Sequence, residues 1–482
     1  MKSNMVKDSI SLSMATIVQQ TISLAQLMIL ARIFTKQQYG TYSQMFTIIT
    51  LASVLLLGIP QSISYFIVRS SDSESKQKTM SNILTATLMI AAVAFVLIII
   101  GRDGIAAYFS NEGLKESGLI IAVITAAGLV SGIFANTCIA VGRALLNSVS
   151  TIVFSALRLV SVLIMLFVKL SFLNFLIIYA CVELAIASYV VFMINKLFNG
   201  IKISFDRKLF REILVFSVPL GLASFLGIIT LAMDKLIIGR QFTTEQFAIF
   251  TNGAKEVPVY FLVGSITAVM LPQVIKKFKD GDMEGVTSLW RKSMDMAGWV
   301  IVFFIFFLML MGPEYISIMY SNAYMDSLPV FKIYLLALFS RITYFGTVLQ
   351  AAGKSKSILW NSLATLVMNL ILNLLLIKPL GIVGPAVATV LSIWTMSIVQ
   401  LLASARQLGK PLLQIFPGRE MLGFIAVNGV IYVLFWFLKT NIMSRYTIHP
   451  LISLGIVGLA WGGIYALVYR KRLKMIIQRI IH

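Results

Sequence analysis

The sequence alternates between apolar stretches of about twenty residues and short segments that carry charge, glycine or proline. A helix needs roughly 20 apolar residues to cross a hydrocarbon core about 30 Å thick, and it must satisfy its backbone hydrogen bonds internally there. Dividing the chain at its polar breaks leaves about fourteen such stretches, which predicts an all-α membrane protein. The predicted spans are 9–31, 41–68, 81–100, 119–141, 149–168, 173–195, 213–238, 250–272, 294–312, 330–352, 358–377, 380–402, 421–438 and 451–469.

The composition supports a membrane protein and argues against an enzyme. The chain is 59% hydrophobic and only 12% charged, whereas soluble domains are about 25% charged. The longest predicted outer loop, 101–118, is too short to fold as a catalytic domain, which a membrane-embedded glycan polymerase or ligase would need. We therefore expect a transporter whose work is done among the helices.

Cysteine and histidine are too few to build a metal or disulfide site. Cys138 and Cys181 both fall within apolar spans, and the two histidines, His449 and His482, form no HExxH motif. We expect no metal, no cofactor and no disulfide framework.

The positive charges indicate the orientation of the chain. Cytoplasmic loops of membrane proteins are enriched in Lys and Arg. With the N-terminus inside, the inner segments hold 26 of the 40 Lys and Arg residues, the outer loops hold 9 and the spans hold 5. Both termini are therefore predicted to be cytoplasmic. The net charge of +21 is read as a topology signal and an attraction to anionic membrane lipids, not as a nucleic-acid site, because the cations lie in short separate loops.

An internal repeat divides the chain into two halves. Residues 29–42 (ILARIFTKQQYGTY) match residues 237–250 (IIGRQFTTEQFAIF), and two further anchors, a Pro-Gln and a Gly followed by a basic residue, recur at nearly the same offset. Six spans separate the copies, so the halves have the same orientation, as in many alternating-access transporters. We predict two pseudo-symmetric six-helix lobes around a central cavity, followed by two extra helices. The predicted boundaries are 1–200, 201–412 and 413–482.

Three long segments resemble a known family. They are ARIFTKQQYGTY (31–42), PLGLASFLGIITLAMDKLIIGR (219–240) and AAGKSKSILWNSLATLVMNLILNLLLIKPLGIVGPAVAT (351–389). They resemble the polysaccharide transporter branch of the multidrug/oligosaccharidyl-lipid/polysaccharide (MOP) exporter superfamily, which includes the O-antigen flippases. The resemblance implies a bacterial cytoplasmic-membrane protein that flips undecaprenyl-pyrophosphate-linked oligosaccharides for surface polysaccharide biosynthesis. It carries no set of functional residues across, so the candidate sites below come from the chemistry of the spans.

Three ionisable residues lie near the middle of predicted spans: Arg158, Glu183 and Arg341. A charge at that depth costs about 2.5–3.5 kcal/mol on insertion scales, so it needs a partner, water or a function. Arg158 and Glu183 are equally far from the turn that joins their spans, which predicts that they pair. The pair could be purely structural or could take part in substrate or ion coupling.

We predict that Arg158 and Arg341 bind the pyrophosphate of the substrate, because the planar guanidinium binds phosphate oxygens bidentately. Glu183 is the first candidate for the site of a coupling ion, H⁺ or Na⁺, and Asp234 is a second. For Asp234, near the outer end of its span, interfacial pairing is the alternative. Arg341 also heads a predicted polar stripe at helical spacing that continues through Tyr344, Thr347 and Gln350.

Polar stripes mark two other spans. Gln19, Gln20, Ser23 and Gln26 follow one face of the first span and are predicted to line the cavity, with helix-to-helix hydrogen bonding as the alternative. A second stripe in the eleventh span consists of Asn361, Thr365, Asn369 and Asn373, whose regular amide spacing favours helix pairing over substrate contact.

The combined prediction is a lipid-linked oligosaccharide flippase that works by alternating access. Its expected partners are the lipid-linked glycan, membrane lipids, and a glycan polymerase and glycosyltransferases. A multidrug or cation antiporter of the same superfamily and a peptidoglycan lipid II flippase remain alternatives, since both share the architecture. A cation exporter would favour an acidic cavity, which two in-membrane arginines against one glutamate argue against.

Overall fold

The computed structural model describes residues 2–56, 58–70, 72–202, 205–445 and 448–472; within these ranges, the side chains of residues 2–10, 220, 223–224, 260–265, 267–269, 355 and 444 are not described. Regular secondary structure in these ranges is entirely helical. The chain divides into two compact units, Met1–Ala248 and Ile249–His482.

The described residues form twenty α-helices, and several of the predicted spans are divided between two of them. The helices that begin in the first unit are α1 (Lys2–Ile33), α2 (Lys36–Ala52), α3 (Ile59–Arg69), α4 (Ser73–Phe109), α5 (Glu112–Glu116), α6 (Gly118–Ser131), α7 (Phe134–Ala140), α8 (Ala144–Val168), α9 (Phe172–Leu197), α10 (Arg207–Gln241) and α11 (Thr244–Gly253). Those of the second unit are α12 (Tyr260–Lys279), α13 (Met283–Tyr320), α14 (Leu328–Ala337), α15 (Thr347–Ala351), α16 (Ser355–Leu380), α17 (Gly384–Leu408), α18 (Leu412–Ile415), α19 (Gly418–Asn441) and α20 (Pro450–Val468). Short 3-10 helices lie at Ser53–Leu56, Asn322–Ser327, Leu338–Arg341, Gly381–Val383 and Met443–Arg445.

The described residues contain 11 segments long and apolar enough to span a membrane, so the predicted multi-pass helical fold is confirmed. One of these segments, Lys356–Leu408, holds two helices, α16 and α17. The predicted spans 213–238 and 250–272 include side chains outside the described part of the chain. The total of fourteen spans therefore stays a prediction.

A glycine and a proline interrupt the predicted span at 41–68. α2 ends at Ala52 and α3 begins at Ile59. Gly58 has φ of 78°, and a Cβ atom at this position would lie 2.3 Å from the carbonyl oxygen of Ser217 on α10. Only glycine permits both the left-handed backbone and this close approach. Pro60 lies in the first turn of α3, where a missing backbone donor costs nothing.

The repeat between residues 29–42 and 237–250 has a physical cause. Each copy contains a helix N-cap with the same hydrogen bonds. At the start of α2, Gln38 N donates to Thr35 Oγ1 (3.2 Å) and Thr35 N donates to Gln38 Oε1 (3.1 Å). Thr243 and Gln246 make the same reciprocal bonds at 3.2 and 3.1 Å. This capping box satisfies two backbone donors that the helix itself cannot, which explains the identity of these residues in both copies.

The repeat anchor formed by a glycine and a basic residue is a helix C-terminus. Gly142 and Gly353 have φ of 70° and 69°. The next residue in each copy donates its backbone N–H five residues back at 2.8 Å, from Arg143 to Cys138 O and from Lys354 to Leu349 O. These bonds are typical of the Schellman motif, in which glycine takes the left-handed position. At these two anchors the halves repeat local backbone geometry as well as sequence.

Loss of either N-cap should destabilise the fold measurably. We expect Thr35→Ala and Thr243→Ala each to lower the free energy of unfolding by about 1 kcal/mol, the usual value of an N-cap side chain. Thr50→Ala is the matched control, because the Thr50 hydroxyl bonds only to Phe46 O within its own helix. Thermal unfolding in detergent measures the difference, and equal effects at Thr35 and Thr50 would contradict a capping role.

The C-terminal helices α19 and α20 pack against α13, and ion pairs join this group. The pairs run along the length of α13, and two of them are bidentate because both carboxylate oxygens accept from one guanidinium. Spans 13 and 14 are therefore anchored to the second unit at several depths. The pairs are Arg291 with Glu420 (2.9 Å), Arg472 with Asp295 (2.5 Å) and Lys439 with Glu314 (2.7 Å).

Arg472 lies shortly after α20, among the basic residues Arg470, Lys471 and Arg472, yet its side chain is only 18% exposed. We expect Arg472→Gln to lower the free energy of unfolding by about 1–3 kcal/mol, below the 3–5 kcal/mol typical of a fully buried pair because both partners keep some contact with solvent. Arg470→Gln, an exposed tail cation nearby, is the control and should change stability little. Thermal unfolding of both variants tests this, and equal stability would show that the Asp295 pair contributes nothing.

Candidate functional site

The predicted pair of Arg158 and Glu183 is present in the first unit. Arg158 Nε donates to Glu183 Oε1 at 2.5 Å, and Arg158 Nη2 donates to Oε2 at 2.9 Å. The Glu183 side chain is 4% exposed and that of Arg158 is 27% exposed. Both residues lie within candidate spans, Ala144–Val168 and Phe172–Leu197. The pairing prediction is confirmed, and the bidentate geometry offsets the cost of placing two charges among apolar helices.

The turn between α8 and α9 sets the depth of this pair. Lys169 ends α8 in the left-handed conformation with φ of 53°, and Ser171 caps α9 by accepting a hydrogen bond from Asn174 N at 3.3 Å. This short connection keeps the two helices adjacent, so residues at equal distances from it meet. The equal distances of Arg158 and Glu183 from the turn were therefore enough to predict that they pair.

An aromatic cluster from α2 and α9 lies beside the ion pair. The rings of Tyr42 and Phe175 are 6.3 Å apart, and those of Phe175 and Tyr179 are 6.0 Å apart. Tyr179 precedes Glu183 by one helical turn on α9, which places its ring next to the ion pair. Tyr42 was not predicted as a site residue, although one signal was present: its counterpart in the repeat is Phe250, so only the first copy carries the hydroxyl.

Arg341 is also paired with a carboxylate, and this partner was not predicted. Its Nη2 donates to Glu256 Oε1, and the two side chains are 38% and 31% exposed. The pair borders a small cavity of about 10 Å³, lined also by Tyr334 and Leu338, which is room for about one water molecule.

The predicted helical stripe from Arg341 to Gln350 is wrong. α14 ends at Ala337, the 3-10 turn ends at Arg341, and α15 begins only at Thr347. Ser340 Oγ donates to the backbone carbonyl of Ala337 (2.7 Å), the last residue of α14. Beyond the 3-10 turn, Thr343 Oγ1 accepts a hydrogen bond from Trp290 Nε1 (2.9 Å). Arg341 thus occupies a break in the helix, a feature that in transporters often marks a binding site.

The polar stripe of the first span lies on α1, which packs against α8, the helix that carries Arg158. The Gln26 side-chain nitrogen is buried and has no hydrogen-bond partner among the described residues. Whether these residues contact substrate stays a prediction. The stripe residues Gln19, Gln20, Ser23 and Gln26 are all half-buried.

The amide stripe of the eleventh span joins helices, as its spacing predicts. Asn369 Nδ2 on α16 donates to Thr389 Oγ1 on α17 at 3.1 Å, and Asn373 Nδ2 donates to Asn369 Oδ1 at 3.1 Å. Both asparagines are fully buried. The stripe therefore stabilises the α16–α17 pair.

Asp234, the second candidate ion site, is 2% exposed, and its Oδ1 accepts a hydrogen bond from Lys235 N at 2.7 Å. Its role in ion coupling stays a prediction. Among the residues that the structure describes, no group of three or more His, Cys, Asp and Glu side chains could hold a metal ion.

Comparisons with known proteins place the chain in a family. A sequence model of the family described as polysaccharide biosynthesis protein matches residues 5–278. The capsular polysaccharide biosynthesis protein CapF of Staphylococcus aureus is 25% identical over 205 residues, which make up 41% of this chain and 51% of that protein. The chain thus spans about half the length of this curated relative.

Solved structures show the same fold. The lipid II flippase MurJ in its inward closed conformation matches with a TM-score of 0.77 and 14% identity, over 96% of this chain and 100% of that chain. An inward-facing multidrug resistance MATE family transporter of the MOP superfamily matches with a TM-score of 0.65 and 15% identity, over 81% and 94% of the two chains. At these identities the likeness concerns the fold alone. Together with the family match, it confirms the predicted resemblance to the polysaccharide branch and the predicted fold of the MOP superfamily. Because the family match covers more than half of its 482 residues, this chain belongs to the polysaccharide biosynthesis protein family.

Proposed function

We propose that this protein is a flippase that moves a polyprenyl-pyrophosphate-linked oligosaccharide from the inner to the outer leaflet of the bacterial cytoplasmic membrane. It works by alternating access of two six-helix halves, 1–200 and 201–412, with residues 413–482 as two further helices and a basic tail. In this proposal the chain crosses the membrane fourteen times and both termini lie in the cytoplasm. The polysaccharide biosynthesis family and the MOP superfamily fold support this proposal.

The observation that carries the proposal is the bidentate Arg158–Glu183 pair inside candidate membrane spans. A cargo with a pyrophosphate headgroup must have its negative charges offset while it crosses the hydrocarbon region. A guanidinium that is already held in the plane of two carboxylate oxygens has the geometry that two phosphate oxygens require. The Arg341–Glu256 contact is a second arrangement of the same kind.

These pairs also suggest how an ion could be coupled to transport. Protonation of Glu183, or its binding of Na⁺, weakens its bond to Arg158 and frees the guanidinium for the pyrophosphate. Return of the ionised carboxylate then displaces the headgroup. Carboxylate and substrate compete for one guanidinium, so the headgroup binds when the ion is bound to the carboxylate and leaves when the ion leaves. Glu256 plays the same part for Arg341.

Deletion of the protein, followed by identification of the lipid-linked glycan that accumulates on the inner leaflet, tests the proposed function. We expect a polyprenyl-pyrophosphate oligosaccharide to accumulate and export to resume when the wild-type chain is restored. Accumulation of the peptidoglycan precursor lipid II instead would assign the chain to that cargo. Normal glycan export with increased sensitivity to cationic drugs would replace the proposal with a multidrug exporter.

The proposal also places the protein within a reaction sequence. Glycosyltransferases must assemble the oligosaccharide on its lipid carrier before transport, and a glycan polymerase must use it afterwards. We propose these enzymes as functional partners, since one class supplies the substrate and the other consumes it.

A further inference from the structure

A cationic pocket in the first unit lies away from the two arginine pairs. It is formed where α3 ends and α10 begins, and its volume is about 640 Å³. Its charged lining consists of three cations and one carboxylate. These residues are Arg69, Lys208, Arg211 and Glu212.

The three cations lack acidic partners. No carboxylate in the described part of the chain lies within 4.0 Å of the charged nitrogens of Arg69, Lys208 or Arg211. The nearby acid Asp206 is engaged elsewhere: its Oδ2 pairs with Lys78 at 2.9 Å, and its Oδ1 caps α10 by accepting from Lys208 N at 3.0 Å. The Lys78 contact and the capping bonds hold the pKa of Asp206 below its usual value, so it stays ionised and bound there.

The pocket is built for an amphipathic ligand. Its floor is a stacked pair of rings, Tyr65 and Phe216, with centroids 4.3 Å apart and planes inclined by 12°. Arg69 Nη1 donates to the Tyr65 hydroxyl at 3.2 Å, which directs the guanidinium along this floor. Val215 in the pocket wall is 69% exposed. A soluble anion would gain nothing from this apolar surface, whereas a lipid would cover it.

The position along the chain also indicates a lipid. Arg69 is the last residue of the candidate membrane span Lys36–Arg69, so the pocket lies where hydrocarbon meets headgroups. Basic pockets between transmembrane helices at the cytoplasmic surface are typical binding sites of anionic lipid headgroups. On α10, Lys208, Arg211 and Val215 follow one another at helical spacing, which places cations nearer the headgroups and the valine nearer the acyl chains.

We propose that this pocket binds the phosphate headgroup of a membrane lipid at the end of the Lys36–Arg69 span. The phosphate lies among Arg69, Lys208 and Arg211, and the start of the acyl or prenyl chain lies against Tyr65, Phe216 and Val215. The ligand is either an anionic phospholipid of the bulk membrane or a polyprenyl phosphate. This site does not depend on the cargo proposed above, because binding is separate from transport.

Native mass spectrometry of the full chain in detergent tests the proposal, with phosphatidylglycerol, undecaprenyl phosphate, phosphatidylcholine and inorganic pyrophosphate as probes. We expect the triple variant R69Q/K208Q/R211Q to bind anionic lipid on the order of 100-fold more weakly than wild type, since each cation near the membrane surface contributes on the order of fivefold. The matched control K276Q/K277Q/K279Q removes the same charge from another basic segment and should bind as wild type does.

A second variant separates a specific effect from misfolding. Glu212→Gln removes the one carboxylate of the lining and should tighten binding by about fivefold, a gain that a damaged protein would not show. Binding of both anionic lipids identifies a bulk-lipid site, and binding of undecaprenyl phosphate alone identifies a carrier-lipid site; either supports the proposal. Equal losses in the two triple variants, or equal binding of inorganic pyrophosphate and lipid, would overturn it.

Discussion

Arg158→Gln should abolish export of the lipid-linked glycan and lower the stability of the protein, whereas R158Q/E183Q should recover the stability but not the export. Removing the guanidinium alone leaves Glu183, whose side chain is 4% exposed, without its bidentate partner. Breaking a buried ion pair in this way costs about 3–5 kcal/mol, while replacing both charges is close to neutral. Export should fail in both variants because the proposed phosphate ligand is missing in both.

Thermal unfolding in detergent and glycan export in cells measure the two effects separately. Glu183→Gln completes the set: it leaves the guanidinium free, so headgroup binding should persist while export loses its dependence on the ion gradient. Wild-type export by R158Q/E183Q would show that the pair is structural only, which is the alternative that the sequence left open.

Arg341→Gln should reduce export on the order of 100-fold with little change in stability. The proposed bidentate contact with phosphate supplies two charge-assisted hydrogen bonds of about 1.5–3 kcal/mol each, and glutamine cannot replace them. Stability should change less than at Arg158, because both partners of the Arg341–Glu256 pair are about one-third exposed and water can solvate Glu256.

Lys332→Gln is the matched control for Arg341→Gln. Lys332 belongs to the same predicted span, carries the same charge and makes no ion pair with the described residues. Export rates at equal protein levels in the membrane compare the two variants. If both lose export equally, general charge rather than a positioned guanidinium is required; if Arg341→Gln exports normally, Arg341 is not a substrate ligand.

The repeat illustrates what local sequence can predict. Thr35, Gln38 and Gly142 each determine a hydrogen-bonding pattern that involves only their near neighbours, so their recurrence at Thr243, Gln246 and Gly353 reproduces the same cap geometry. The Arg158–Glu183 pair could be predicted for a related reason. A short turn joins α8 and α9, so two residues equally far from the turn lie at the same depth in the membrane. The asparagines of α16 were predictable from their helical period.

Contacts between residues far apart in the sequence could not be predicted from local patterns. Glu256 and Arg341 are separated by 85 positions, and Arg472 and Asp295 by 177; spacing along the chain carries no information on such pairs. The predicted stripe after Arg341 failed because a helical period assumes an unbroken helix, and the chain between Arg341 and Thr347 is not helical.

The sequence by itself determined that this protein lies in a membrane, that it is helical and that it contains an internal repeat. The length of each apolar segment and the local hydrogen bonds depend only on neighbouring residues. Only the tertiary structure decided which carboxylate holds Arg341, how the last two helices attach to α13, and that Arg69, Lys208 and Arg211 share one pocket. A charged side chain inside a membrane protein needs a partner. Which residue is that partner depends on which helices pack together, and packing is a property of the whole chain.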